Sequence, residues 1–99
     1  MHVMEAPPTE VWIDEFGLLR RGRAWVALPD TEWRLLAPLV DRLGLPVSRE
    51  DLADAAWPGR RMAESALSVR MRKVRQRVAP LGLEVLTVRG RGYVLSPVN

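Results

Sequence analysis

The chain contains no cysteine, one histidine and one lysine. Without cysteine there can be no disulfide and no thiolate metal site, and His2 alone cannot build a histidine zinc centre or a catalytic base with its orienting partner. No metal and no cofactor is expected. Long apolar runs are also missing: the longest is a handful of residues, whereas a membrane-spanning helix needs about 20. No charged-then-apolar leader of the signal-peptide kind opens the sequence. The expectation is a cytoplasmic protein with no membrane partner.

What is present is ordinary in amount and uneven in placement. Of the 99 residues, 47% are apolar and 27% charged, a balance typical of one small globular domain. The net charge of +3 conceals a division. Residues 1–59 hold six arginines against ten acids, a balance of −4, while residues 60–99 hold nine basic residues against Glu64 and Glu84, a balance of +7. A chain sorted in this way presents one face to an anionic partner, and nucleic acid is the leading class. Fourteen of the fifteen basic residues are arginine, whose planar fork suits phosphates and guanine edges.

Residues 1–9, MHVMEAPPT, contain two prolines and no period, and read as a flexible leader ahead of a single domain over 10–99. Val11 and Ile13, Leu18 and Leu19, and Trp25 and Ala27 are separated by Asp14-Glu15 and by Arg21-Gly22-Arg23, which predicts short strands near 10–13, 17–21 and 24–28. The period then changes. Leu35, Leu36, Leu39, Val40 and Leu43 recur at three and four residues, so a first helix is expected from Asp30, as its cap, to Leu43, ended by Gly44, with Pro38 costing a bond or a kink. Ser48 followed by Asp51 resembles a capping box and starts a second helix at Arg49, which Pro58-Gly59 stops.

A third helix follows the loop at 60–62 and runs to about Ala79, with Leu67, Met71, Val74 and Val78 as its buried stripe. From Ser65 to Arg77 its exposed positions include Val69, Arg70, Arg72, Lys73, Arg75 and Arg77, with no acid among them. Like charges at helical spacing repel, so an external partner is expected to neutralise them. Strands at 84–88 and 93–95 flank the turn Arg89-Gly90-Arg91-Gly92, a hairpin with arginines at its tip. Trp12, Trp25, Trp33 and Trp57 follow apolar periods or end a packed helix and are expected in the core.

The expected fold is therefore α+β: an amino-terminal antiparallel sheet, three helices and a carboxy-terminal β-hairpin wing, the plan of a winged helix-turn-helix. In that geometry the third helix enters the major groove, where base edges are distinguishable, and the wing meets the backbone or the adjacent minor groove. TEWRLL at 31–36, VSREDL at 47–52 followed by Trp57, and TVRGRGYVL at 87–95 resemble the OmpR/PhoB-type DNA-binding domain, the effector half of bacterial response regulators. With the strands before residue 28, the likeness covers about 90 of the 99 residues.

The resemblance implies roles. LSVRMRKVRQRV at 67–78 matches the recognition helix, with Arg70, Arg72, Lys73 and Arg75 where family members contact phosphates and bases; Lys73 stands at a base-reading position that is usually arginine. Arg89 matches the wing arginine that enters the minor groove, and Thr87 and Trp57 match backbone-contacting positions. Arg77 and Arg91 join the set by charge and position. Val69 is either a thymine-methyl contact or an idle surface residue. The departures are Pro29-Asp30 in place of Thr-Pro before the first helix, Ser68 in place of an acid, and Arg70 in place of a histidine. No receiver domain lies within these residues, which implies either a stand-alone form or a fragment of a longer regulator.

Two functions follow. The first is a sequence-specific, double-stranded DNA-binding transcription regulator, nucleoid-associated, able to bind as a head-to-tail homodimer as family members do. The alternative is a winged-helix protein-interaction module docking on RNA polymerase or another regulator. In relatives the loop matching 58–63 touches polymerase, so Arg60 and Arg61 serve either a protein or a phosphate. No enzyme is expected, because Asp14-Glu15 and Glu50-Asp51 are adjacent acids explained by a turn and a helix start.

Overall fold

A computed structural model describes residues 10–61 and 63–98. The leader expected over 1–9, and Met62 within the loop 58–63, lie outside the described residues. Three short strands open the fold: β1 (Val11–Ile13), β2 (Leu18–Arg21) and β3 (Ala24–Ala27), antiparallel in the order β1-β2-β3. Three helices follow, α1 (Asp30–Asp41), α2 (Arg49–Ala56) and α3 (Glu64–Val78), then a 3-10 turn at Ala79–Leu81 and the hairpin β4 (Leu83–Val88) and β5 (Gly92–Pro97). The amino-terminal sheet, three helices and wing are those expected from the sequence.

The core forms where the apolar stripes of the helices meet. Leu35, Leu36 and Leu39 of α1, Leu52 and Ala56 of α2, and Leu67, Met71, Val74 and Val78 of α3 are all buried, closed by Leu19 from the sheet and by Val85, Tyr93 and Leu95 from the hairpin. Removing such side chains from water stabilises by about 1.5–3 kcal/mol each. The third-helix stripe read from the sequence is this core.

Several local expectations are corrected. Asp30 does not cap α1: Pro29 holds the cap position, makes no side-chain cap, and accepts the first helical bond from the Trp33 amide at 3.0 Å. Proline suits that boundary because its fixed φ and missing N–H cost nothing there. The helix continues through Pro38 and stops at Asp41, before Leu43; Gly44 adopts φ +82° and donates to the Leu95 carbonyl at 3.0 Å, carrying the chain onto β5. At α2 the reading holds, with the Ser48 hydroxyl accepting from the Asp51 amide at 3.0 Å.

Three of the four tryptophans are not in the core. Trp12 and Trp25 are 36% and 56% exposed, and Trp33 is 39% exposed. The register explains the first two: Trp12 and Trp25 both pair with Arg20, so they share its face of the sheet, opposite Leu19 and Val26, which turn inward. Trp33 stands beside Gly17 of the β1-β2 turn. Trp57 alone packs against the core.

Candidate nucleic-acid interface

Helix α3 places its cations at three kinds of position. At about 100° per residue, Val69, Arg72, Lys73 and Gln76 fall opposite the buried stripe, while Arg75 and Arg77 fall roughly 70–90° to either side of it. Val69 is 53% exposed, Arg72 and Lys73 are exposed, and Arg70 is half-buried at the margin. Among the described residues Arg70, Arg72 and Lys73 have no hydrogen-bond or ion-pair partner. Together with Trp57, Ser65, Ala66 and Val69, Arg70 and Lys73 line a shallow cleft between the end of α2 and the start of α3.

The two flanking arginines are held within the protein. Arg77 donates its Nε to Oε1 of Glu32 at 2.7 Å, and Glu32, on α1, is only 2% exposed. The expectation that every cation of this helix awaits an outside counter-charge is corrected for Arg77. Arg75 donates Nε to the Val85 carbonyl at 3.0 Å and Nη2 to the Thr87 hydroxyl at 2.9 Å. Thr87, though exposed, is thus already an acceptor for the recognition helix. Neither contact was legible from the basic composition of α3. A signal did exist on α1, since Glu32 lies three and four residues before Leu35 and Leu36, on the buried stripe where an acid requires a partner.

The wing tip projects Arg89 and Arg91, both exposed and without a hydrogen-bond or ion-pair partner among the described residues. The Arg91 amide donates to the Val88 carbonyl at 2.9 Å and Gly90, the third residue of this turn, has φ +76°, the signature of a type II turn. The base of the wing is seated closely. Val47 and Tyr93 exchange backbone bonds of 2.8 and 2.9 Å, and a Cβ on Gly92, at φ +110°, would fall 1.9 Å from the Val47 carbonyl oxygen. Arg49 at the start of α2 lies over the Tyr93 ring, 5.5 Å from its centroid, and donates to its hydroxyl at 3.2 Å. Ser48, Arg49, Glu50, Thr87, Arg89 and Arg91 border the cleft between α2 and the wing, with Glu50 its one acid.

Among the described residues, no cluster of three or more histidines, cysteines or acids could hold a metal, and no helix is long and apolar enough to cross a membrane. The family described as "Transcriptional regulatory protein, C terminal" matches residues 22–95. The chain belongs to this family. This transcriptional regulatory domain is of the OmpR/PhoB winged-helix type, and its class is not one of enzymes. It is similar to the C-terminal domain of the nisin resistance regulator NsrR, a lantibiotic response regulator, at 30% identity, with a TM-score of 0.72 and 91% of this chain and 95% of that one covered. Its fold is also that of the AdeR response-regulator DNA-binding domain, solved with an intercistronic region, at 19% identity, TM-score 0.74, covering 88% and 94% of the two chains. The Klebsiella pneumoniae RstA DNA-binding domain, solved with the RstA box, has 21% identity and a TM-score of 0.70, with 93% and 96% covered. No curated protein sequence matches the chain.

Proposed function

We propose that this domain is a sequence-specific regulator of transcription that sets α3 in the major groove of double-stranded DNA and the wing at the adjacent minor groove. Arg70, Arg72 and Lys73 contact phosphates and base edges from α3. Val69 faces a thymine methyl, and Arg89 and Arg91 reach the minor groove or its backbone. Trp57 offers its indole N–H to a phosphate. The observation that carries this reading is the distribution of partners. Arg72 and Lys73 on the outward face of α3, Arg70 at its margin and Arg89 and Arg91 at the wing tip form no ion pair among the described residues, whereas Arg77 on the flank is paired with Glu32. Family membership supports the same reading, and the proposal includes a cytoplasmic, nucleoid-associated location, where such DNA lies.

The test is fluorescence anisotropy with genomic and random duplexes over a salt series. Five cations meeting phosphates give a slope of log K against log salt of about −4 to −5, because each contributes about −0.9. A flat response overturns the proposal. The alternative, docking on RNA polymerase through Arg60 and Arg61, is decided by a polymerase pull-down in parallel. Capture of polymerase with no duplex binding at low salt would replace DNA recognition by that role.

A further inference from the structure

Beside the apolar packing of Val85 in the core, the open edge of the wing is hydrogen-bonded to the recognition helix through Arg75. In the antiparallel pair β4-β5, Val85 faces Leu95 and Thr87 faces Tyr93. The backbone groups of Tyr93 and Leu95 point away from β4, since Tyr93 bonds Val47 and the Leu95 carbonyl accepts from Gly44. In an antiparallel ladder, residues opposite such positions also turn their backbone groups outward. The Val85 carbonyl therefore lies on the free edge of β4, where an edge strand has no neighbour. Arg75 Nε bonds that carbonyl at 3.0 Å, its Nη2 bonds Thr87 Oγ1 at 2.9 Å, and its guanidinium lies 5.9 Å from the Tyr93 ring centroid.

We propose that Arg75 is a positioning residue that clamps the free edge of the wing to the recognition helix, fixing the angle between the two elements that meet adjacent grooves. The inference rests on the DNA-binding role above for its purpose, but the clamp itself is a property of the unbound protein. Val47 and Gly44 hold the β5 side of the hairpin and Arg75 holds the β4 side, so the wing is gripped on both edges. The planar fork donates to the strand carbonyl and the hydroxyl from two separate nitrogens held in one plane beside the ring. An ammonium at the same place supplies the charge without that geometry.

The experiment separates clamp from phosphate contact. In the free protein, amide hydrogen exchange at Leu86 and Val94, which pair across the hairpin, should accelerate about tenfold in both Arg75→Lys and Arg75→Gln relative to α2 amides, as expected for loss of a charge-assisted bond. Thr87→Val, which leaves α3 untouched, should accelerate the same amides, and Thr87→Ser should behave as wild type. With a random 30-base-pair duplex as probe, Arg75→Lys should bind about tenfold more weakly at an unchanged salt slope. Unchanged wing exchange in Arg75→Lys and Thr87→Val overturns the clamp. So does full duplex affinity in Arg75→Lys combined with a slope shallower by about 0.9 in Arg75→Gln, the behaviour of a plain phosphate contact. If the wild-type protein ignores DNA, the functional reading fails while the exchange data still decide the clamp.

Discussion

Arg77, on the helix that faces outward, reaches back to Glu32 on the first helix, Nε to Oε1 at 2.7 Å. The Arg77 side chain remains 45% exposed while that of Glu32 is 3% exposed. Removing the arginine leaves a buried carboxylate without its charge-assisted bond, at a cost of about 2 kcal/mol. Arg77→Ala is expected to lower Tm by roughly 10 °C and to leave the salt slope of duplex binding unchanged. Calorimetry beside the anisotropy titration checks both. A stable variant with a shallower slope would return Arg77 to the DNA-contacting set.

Lys73 and Arg72 both point away from the core. Lys73→Ala is expected to relax discrimination between a preferred site and a single-base mismatch by about 1–3 kcal/mol, the value of one base contact. Competition titrations with the two duplexes measure it. Equal losses on both would assign Lys73 to phosphate alone.

Gly92 admits the Val47 carbonyl where any side chain would collide with it. Gly92→Ala adds that clash to an unfavourable φ, and the wing must lift from the start of α2. The expected cost is about 3 kcal/mol or more. Loss of slow exchange at the Val47 and Tyr93 amides, with the core helices still protected, would report a detached wing.

At the β1-β2 turn, Asp14 Oδ2 accepts from Arg20 Nε at 2.6 Å and Oδ1 from the Phe16 and Leu18 amides at 2.9 and 3.0 Å. The hydrogen bond from Arg20 chiefly, helped by the two amides, lowers its pKa from the usual carboxylate value. A depressed folded-state pKa means that its contribution is complete above the ordinary range near pH 4 and fades as pH falls through the lower folded value. Wild type and Asp14→Ala should therefore differ in Tm at neutral pH and converge in acid. A gap that stays constant down to pH 2 would show that the charge of Asp14 has no part in holding the turn.

The elements of this fold were legible because each has a simple period. Leu35, Leu36 and Leu39, and Leu67, Met71, Val74 and Val78, are spaced as one helix face, and the hairpin is written in Arg89-Gly90-Arg91-Gly92. What sequence did not disclose depends on which elements come to lie side by side. Arg75 and Arg77 sit on the flanks of the stripe, where reaching a neighbour or solvent depends on packing, and the neighbours proved to be β4 and α1. Trp12 and Trp25 look like core by composition, yet their pairing with Arg20 puts them outside, because strand register decides the face and hydrophobicity does not. The Val47–Tyr93 bridge joins positions 46 residues apart, and no local pattern encodes it.

Arg21 of β2 donates Nη1 to the carbonyls of Leu81 and Gly82, at 2.8 and 2.7 Å, just past the end of α3. One guanidinium thereby ties the amino-terminal sheet to the trailing end of the helix that carries Arg72 and Lys73. Sequence distance and spatial distance part company here: the first strands and the carboxy-terminal end of α3 lie some 60 residues apart along the chain and one side chain apart in space.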